Sequence, residues 1–127
     1  MARNFKSIIA WQKADDLAVE IYRETGKSFP PDERFGLTSQ IRRAAASIPA
    51  NIAEGSGRET LKDFARFLHN AQGSLSEVEY FLHLAKRLNY FSEDTFKNLE
   101  DQRAEVGRLL NGFIKSIKQR IHNGERT

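Results

Sequence analysis

The chain is most tightly constrained by a run of apolar residues between positions 61 and 85. Leu61, Phe64, Leu68, Ala71, Leu75, Val78, Leu82 and Ala85 alternate by three and four residues. That spacing puts all of them on one stripe of an α-helix and matches left-handed bundle packing. A second set on the same segment, Phe67, Ser74, Phe81 and Leu88, recurs at sevens, with Leu84 beside it. One stripe serves an intramolecular core. Two stripes predict a helix covered from two sides, and hence a multimer. Thr60-x-x-Asp63 opens the segment as a capping signal.

Three further helical segments accompany it, and the boundaries expected from the sequence are about 8–26, 32–54, 60–89 and 92–121. In the first, Leu17, Ala18, Ile21 and Tyr22 repeat at helical spacing, and Gly26 followed by Phe29-Pro30-Pro31 ends it. The second carries Leu37, Ile41, Ala45, Ile48 and Ile52 on its apolar face. Gly36 is expected to break its first turn, leaving Thr38 as a cap. Pro49 inside it should remove one backbone bond and kink the helix without ending it. Gly55-Ser56-Gly57 stops it, with Gly55 at the usual C-terminal position. The fourth begins at Ser92, an N-cap with Glu93 and Asp94 behind it. Phe96, Leu99, Val106, Leu110, Phe113, Ile117 and Ile121 line its inner face, widened by Leu109 and Ile114. Connections this short demand antiparallel neighbours. The expected fold is an all-α, up-and-down four-helix bundle in a single domain spanning 1–127, with a Pro-kinked second helix.

Composition narrows the chemistry. With no cysteine among 127 residues, disulfides and thiolate metal sites are excluded. No leader-like apolar stretch or membrane-length run is present, so a soluble, cytoplasmic protein is expected. The net charge of +3 is mildly basic. Acids early in the last segment and bases late in it complement the helix dipole, which accounts for that asymmetry without a ligand.

Catalytic constellations are poorly supported. A di-iron bundle site needs Glu-x-x-His on two helices, whereas Glu79 and His83 stand four apart. His69 and His83 are about 21 Å apart along one helix and cannot share a metal within a chain. Gly55-Ser56-Gly57 lacks the strand–turn–helix setting of a nucleophile elbow. No catalytic residue, metal, cofactor or small-molecule substrate is therefore expected. The turn retains a secondary interest as an anion site, because helix-start amides lie beside Arg58 and Lys62.

Basic residues are the better lead. Arg42 and Arg43 lie on the second segment, while Arg58, Lys62 and Arg66 are spaced by four on the third and share a face. Such a ladder could meet phosphates, or pair with Glu54, Glu59 and Asp63. The aromatics fall mostly at core positions, which speaks against base stacking. Phe5 and Trp11, near the start, suit either the bundle end or a neighbouring subunit. With Phe67, Phe81, Leu84 and Leu88 they form the candidate oligomer interface.

Several stretches together closely resemble the bacterial four helix bundle protein family, also called 23S rRNA-intervening-sequence proteins. They are Trp11-Gln-Lys-Ala14, Phe29-Pro30, Arg34-Phe-Gly-Leu-Thr-Ser-Gln40, Arg42-Arg-Ala-Ala45, Ser47-Ile-Pro-Ala-Asn-Ile-Ala-Glu-Gly55, Gly57-Arg58, Phe67-Leu68 and Gly73-Ser-Leu-Ser-Glu77. The resemblance implies a ring-like homopentamer. It also implies a distant likeness to the accessory protein of diversity-generating retroelements, which contacts reverse transcriptase and nucleic acid. It carries no catalytic residues. The expectation is a non-enzymatic homo-oligomer that engages RNA, DNA or a protein that processes them. The alternative is a protein-interaction scaffold indifferent to nucleic acid.

Overall fold

A computed structural model describes residues 3–127. Four α-helices make up the fold: α1 (Ile9–Ser28), α2 (Leu37–Ser56), α3 (Leu61–Arg87) and α4 (Glu93–His122), with short 3-10 turns at Phe5–Ser7 and Pro31–Glu33. No strand occurs among the described residues. Each helix packs against its neighbours in the cyclic order α1–α2–α3–α4. No described helix is long and apolar enough to cross a membrane.

Contacts fan outward from the turns, which fixes antiparallel neighbours. Ser47 meets Ser74 between α2 and α3, while Gln72 meets Asn111 and Arg103 meets Glu79 between α3 and α4. One pole of the bundle gathers Arg3, which donates to the carbonyls of Ser56 (3.2 Å) and Arg58 (2.7 Å), and Leu61, whose amide reaches Arg126. The opposite pole is an aromatic plug in which Phe29 packs on Tyr90 and Phe91 at 5.2 and 5.0 Å between ring centres.

The ends of the helices follow from local chemistry. Thr60 and Ser92 cap α3 and α4 by accepting from the amides of Asp63 and Thr95, each at 3.1 Å. Without such caps those amides would lack partners, at a cost of about 1 kcal/mol each. Asn89, with φ 60°, ends α3. The Tyr90 amide reaches the Ala85 carbonyl and the Asn89 amide that of Lys86, the paired bonds of a Schellman turn. Gly124, with φ 90°, closes α4 in the same way. The helix α1 runs past Gly26 to Ser28 and stops where Pro30 forbids continuation.

The core stripe of α3 is buried from Leu61 to Ala85. Against it lie Ile41, Ile48 and Ile52 of α2, Leu17 and Ile21 of α1, and Leu99, Val106 and Leu110 of α4. Side chains of this size each contribute roughly 1.5–3 kcal/mol on full burial. Pro49 lies inside α2 and is itself buried, and the helix continues through it to Ser56. Gly55 belongs to that helix and not to its cap. The capping residue is Gly57, in ordinary right-handed geometry (φ −85°). What Gly55 supplies is clearance, since a Cβ there would stand 2.7 Å from the Phe67 Cβ and 2.9 Å from the Phe64 ring.

Gly55→Ala should therefore force α2 and α3 apart and destabilise the fold by about 1–3 kcal/mol. Thermal melting of the variant checks this. An unchanged midpoint would mean that the two helices separate at negligible cost.

Candidate interaction surface

The basic ladder that opens α3 is largely engaged within the chain. Arg58 reaches Glu54 at 3.1 Å and Asp63 at 3.7 Å, and Arg66 reaches Asp63 at 2.8 Å. Both guanidinium groups also lie over the Phe67 ring, 4.6 and 4.5 Å from its centre. Sequence spacing puts Phe67 on an outward stripe, but these two arginines cover it and leave it only 7% exposed. Cation–π cover of this kind is invisible to hydrophobic periodicity. Lys62 is exposed on the same concave surface and forms no ion pair among the described residues.

Adjacent in sequence, Arg42 and Arg43 part company. Arg42 donates to the Thr25 hydroxyl (2.9 Å) and the Tyr22 carbonyl (3.0 Å), and its guanidinium lies 4.8 Å from the Tyr22 ring centre. It ties α2 to the end of α1. Arg43, one residue and about 100° further round the helix, faces an open groove between α2 and α3. The groove has a volume of about 430 Å³ and is lined by Ser39, Gln40, Arg43, Ala44 and Ser47 from α2, and by Ser74, Glu77 and Phe81 from α3. Its floor is polar, with Ser74 donating to the Ser47 hydroxyl at 2.8 Å and the Asn51 amide donating to the same oxygen at 3.0 Å.

Phe35 closes the mouth of that groove and is 88% exposed. Sequence reasoning read it only as part of a resembling stretch, not as a surface residue in its own right. The available signal was its position between two turn elements, off every helical stripe. The segment that presents it is held firmly. Glu33 accepts from the Leu37 amide at 3.1 Å, capping α2, and its other oxygen accepts from the Tyr90 hydroxyl at 2.8 Å. This carboxylate does the work expected of Thr38, so α2 begins at Leu37 with Gly36 as its formal N-cap. The Leu37 amide, and then Tyr90, hold the Glu33 carboxyl below its ordinary range, while the Glu33 bond, first among the causes, raises the Tyr90 phenol.

The remaining apolar candidates divide by exposure. Phe5 packs edge-on against Trp11 at 5.0 Å, and both lie half-buried. Phe81 and Leu84 are half-buried against the core, and Leu88 is 45% exposed. Tyr80, 56% exposed, lies beside Phe81 and His83. Among the described residues no three His, Asp or Glu side chains gather in a metal-binding group. Arg103 pairs with Glu100 on its own helix (2.6 Å) and reaches Glu79 of α3 (3.4 Å), and the Glu100 hydrogen bond is the chief reason that its pKa is raised.

The protein is an all-α four-helix protein whose open features include a groove with Phe35 at its mouth and exposed arginines. The sequence matches the family of the 23S rRNA-intervening sequence protein over residues 6–112, and the chain belongs to that family. Among solved structures it is similar to a protein of unknown function from the S23 ribosomal protein family of Bacteroides thetaiotaomicron. The TM-score is 0.75 at 28% identity, covering 84% of this chain and 99% of that one. No curated protein matches the sequence.

The Glu33 clasp gives a pH prediction. A carboxylate whose pKa is depressed by folding stabilises the fold above its unfolded pKa and loses that contribution as pH falls through the folded value. Glu33→Gln should therefore narrow the stability difference from wild type as pH drops below the ordinary glutamate range. Parallel thermal melts from neutral to acidic pH test it, and a constant gap throughout would refute it.

Proposed function

We propose that the protein works as a non-enzymatic, self-associating bundle, a ring of five copies, whose surface engages nucleic acid or a partner that processes it. The observation that carries the self-association is Phe35. A phenylalanine held almost fully in solvent by a hydrogen-bonded clasp, at the mouth of a groove bordered by Phe81, has the character of an anchor awaiting a protein surface. Tyr80 and Leu88 extend exposed apolar area along α3. The copy number is supported by the family resemblance. Light scattering at micromolar concentration should find a multimer; a 14.5 kDa species alone would remove the proposal.

The nucleic-acid part is supported by Lys62 and Arg43, which are exposed and unpaired among the described residues, and by a net charge of +3 per copy. A ring repeats these charges around one face. Arg58 and Arg66 contribute less, since Asp63 and Glu54 neutralise them. Binding to RNA and DNA should weaken steeply with salt, and Lys62→Ala should flatten the slope of log K against log salt by about one. Absence of binding at low salt, with a protein partner recovered instead, would favour the scaffold reading.

A further inference from the structure

We infer that the outward face of the C-terminal half of α4, from Arg108 to Lys118, is a rail for the phosphate backbone of double-stranded nucleic acid. The inference rests on the nucleic-acid reading proposed above, and gives it a place on the molecule and a ligand class.

The two halves of α4 handle charge differently. In the first half the bases are paired, Lys97 with Asp101 at 3.0 Å and Arg103 with Glu100 at 2.6 Å. From Val106 to Gly124 the sequence holds no carboxylate, while Arg108, Lys115, Lys118 and Arg120 fall within that stretch. Arg120 turns to Glu125 at 3.1 Å. Arg108, Lys115 and Lys118 are exposed and form no ion pair among the described residues. Spaced by seven and then three residues, they share one face over about 15 Å of helix. Lys62 of α3, also unpaired, meets the same end of the strip in a surface concavity that it shares with Ile121.

The helix dipole does not account for this strip. Its pull on a cation is confined to the last turn, which holds Arg120 and His122. Lys115 and Arg108 stand about two and about four turns further back. Local pairing does not account for it either. The residues three and four away from Lys115 are Asn111, Gly112, Lys118 and Gln119. Lys115 and Lys118 therefore repel across one turn, which disfavours the helix. A polyanion lying along the face turns that repulsion into attraction.

Gly112 carries a second, independent signal. It lies between Arg108 and Lys115 on the same face, and a Cβ there would meet no described atom within 4 Å. Nothing in the packing calls for a glycine, and alanine is the better helix former. The missing methyl group leaves bare backbone between two cations, where a phosphate chain can approach closely. The strip also lacks exposed aromatic rings, since Phe35, Tyr22 and Tyr80 all lie outside α4. Single strands are held by stacking on aromatics, so a straight cationic face without them suits the duplex backbone and reads no bases.

Fluorescence anisotropy with a mixed-sequence duplex, and with one of its strands alone, tests the face across a salt series. The full-length chain should bind the duplex more tightly than the strand. Arg108→Ala, Lys115→Ala and Lys118→Ala should each lower the slope of log K against log salt by about one. Lys97→Ala, on the paired half of the same helix, should leave the slope unchanged. Gly112→Ala should raise the thermal midpoint yet weaken duplex binding several-fold, and weaker binding by a more stable chain cannot come from unfolding. A duplex bound with steep salt dependence but indifferent to the three cation variants would overturn this face while leaving the nucleic-acid reading standing. Tighter binding of the single strand would do the same. So would displacement of the duplex by polyglutamate at equal charge, which would assign the face to an acidic protein. A wild-type chain that binds neither probe at low salt would defeat both.

Discussion

The closeness of α2 and α3 governs the architecture. With Gly55 against the ring and Cβ of two phenylalanines, the helices meet nearly backbone to side chain at one pole. Interhelical distance depends on the residues at the contact, so a single missing methyl group sets the geometry of the seam. Phe64 and Phe67 are fixed by that approach. Phe64 continues inward to meet Phe113 of α4 at 5.6 Å, while Phe67 turns outward to support Arg58 and Arg66. Further along the same helix pair lies the surface groove that Phe35 overlooks.

Much of this was legible in the sequence, and the helices were legible for a simple reason. A 3.6-residue period sustained over seven turns, as in α3, leaves no competing interpretation. The caps at Thr60 and Ser92 were also readable, because a cap bond spans three residues. The beginning of α2 was not. It depends on Glu33 reaching forward to Leu37 and on Tyr90 arriving from 57 residues away, and no local pattern announces a partner at that separation. Gly55 could be recognised as special, but its reason lies in phenylalanines on a different helix.

The candidate surface was only partly legible. Periodicity marked Phe67, Phe81, Leu84 and Leu88 as surplus to one core stripe. It could not tell that arginines would lie over Phe67, because cation–π cover joins residues that a hydropathy pattern places in opposite classes. The equal spacing of Arg58, Lys62 and Arg66 was real, yet the carboxylates interleaved with them take up two of the three charges. Phe35 escaped notice because it belongs to no period at all. Surface residues held by turns carry functional information that helical stripes do not.

The paired hydroxyls of Ser47 and Ser74 bear on how the molecule avoids misalignment. Two helices joined solely by aliphatic contacts can slide by one turn, about 5.4 Å, and still bury comparable hydrocarbon. Such a slip here would strand Ser74, which is shielded from water, without its acceptor on α2. Desolvated polar groups deprived of partners cost about 1–3 kcal/mol each. The serines thus act as a vernier mark on an otherwise smooth ruler, singling out one alignment from several of similar greasiness.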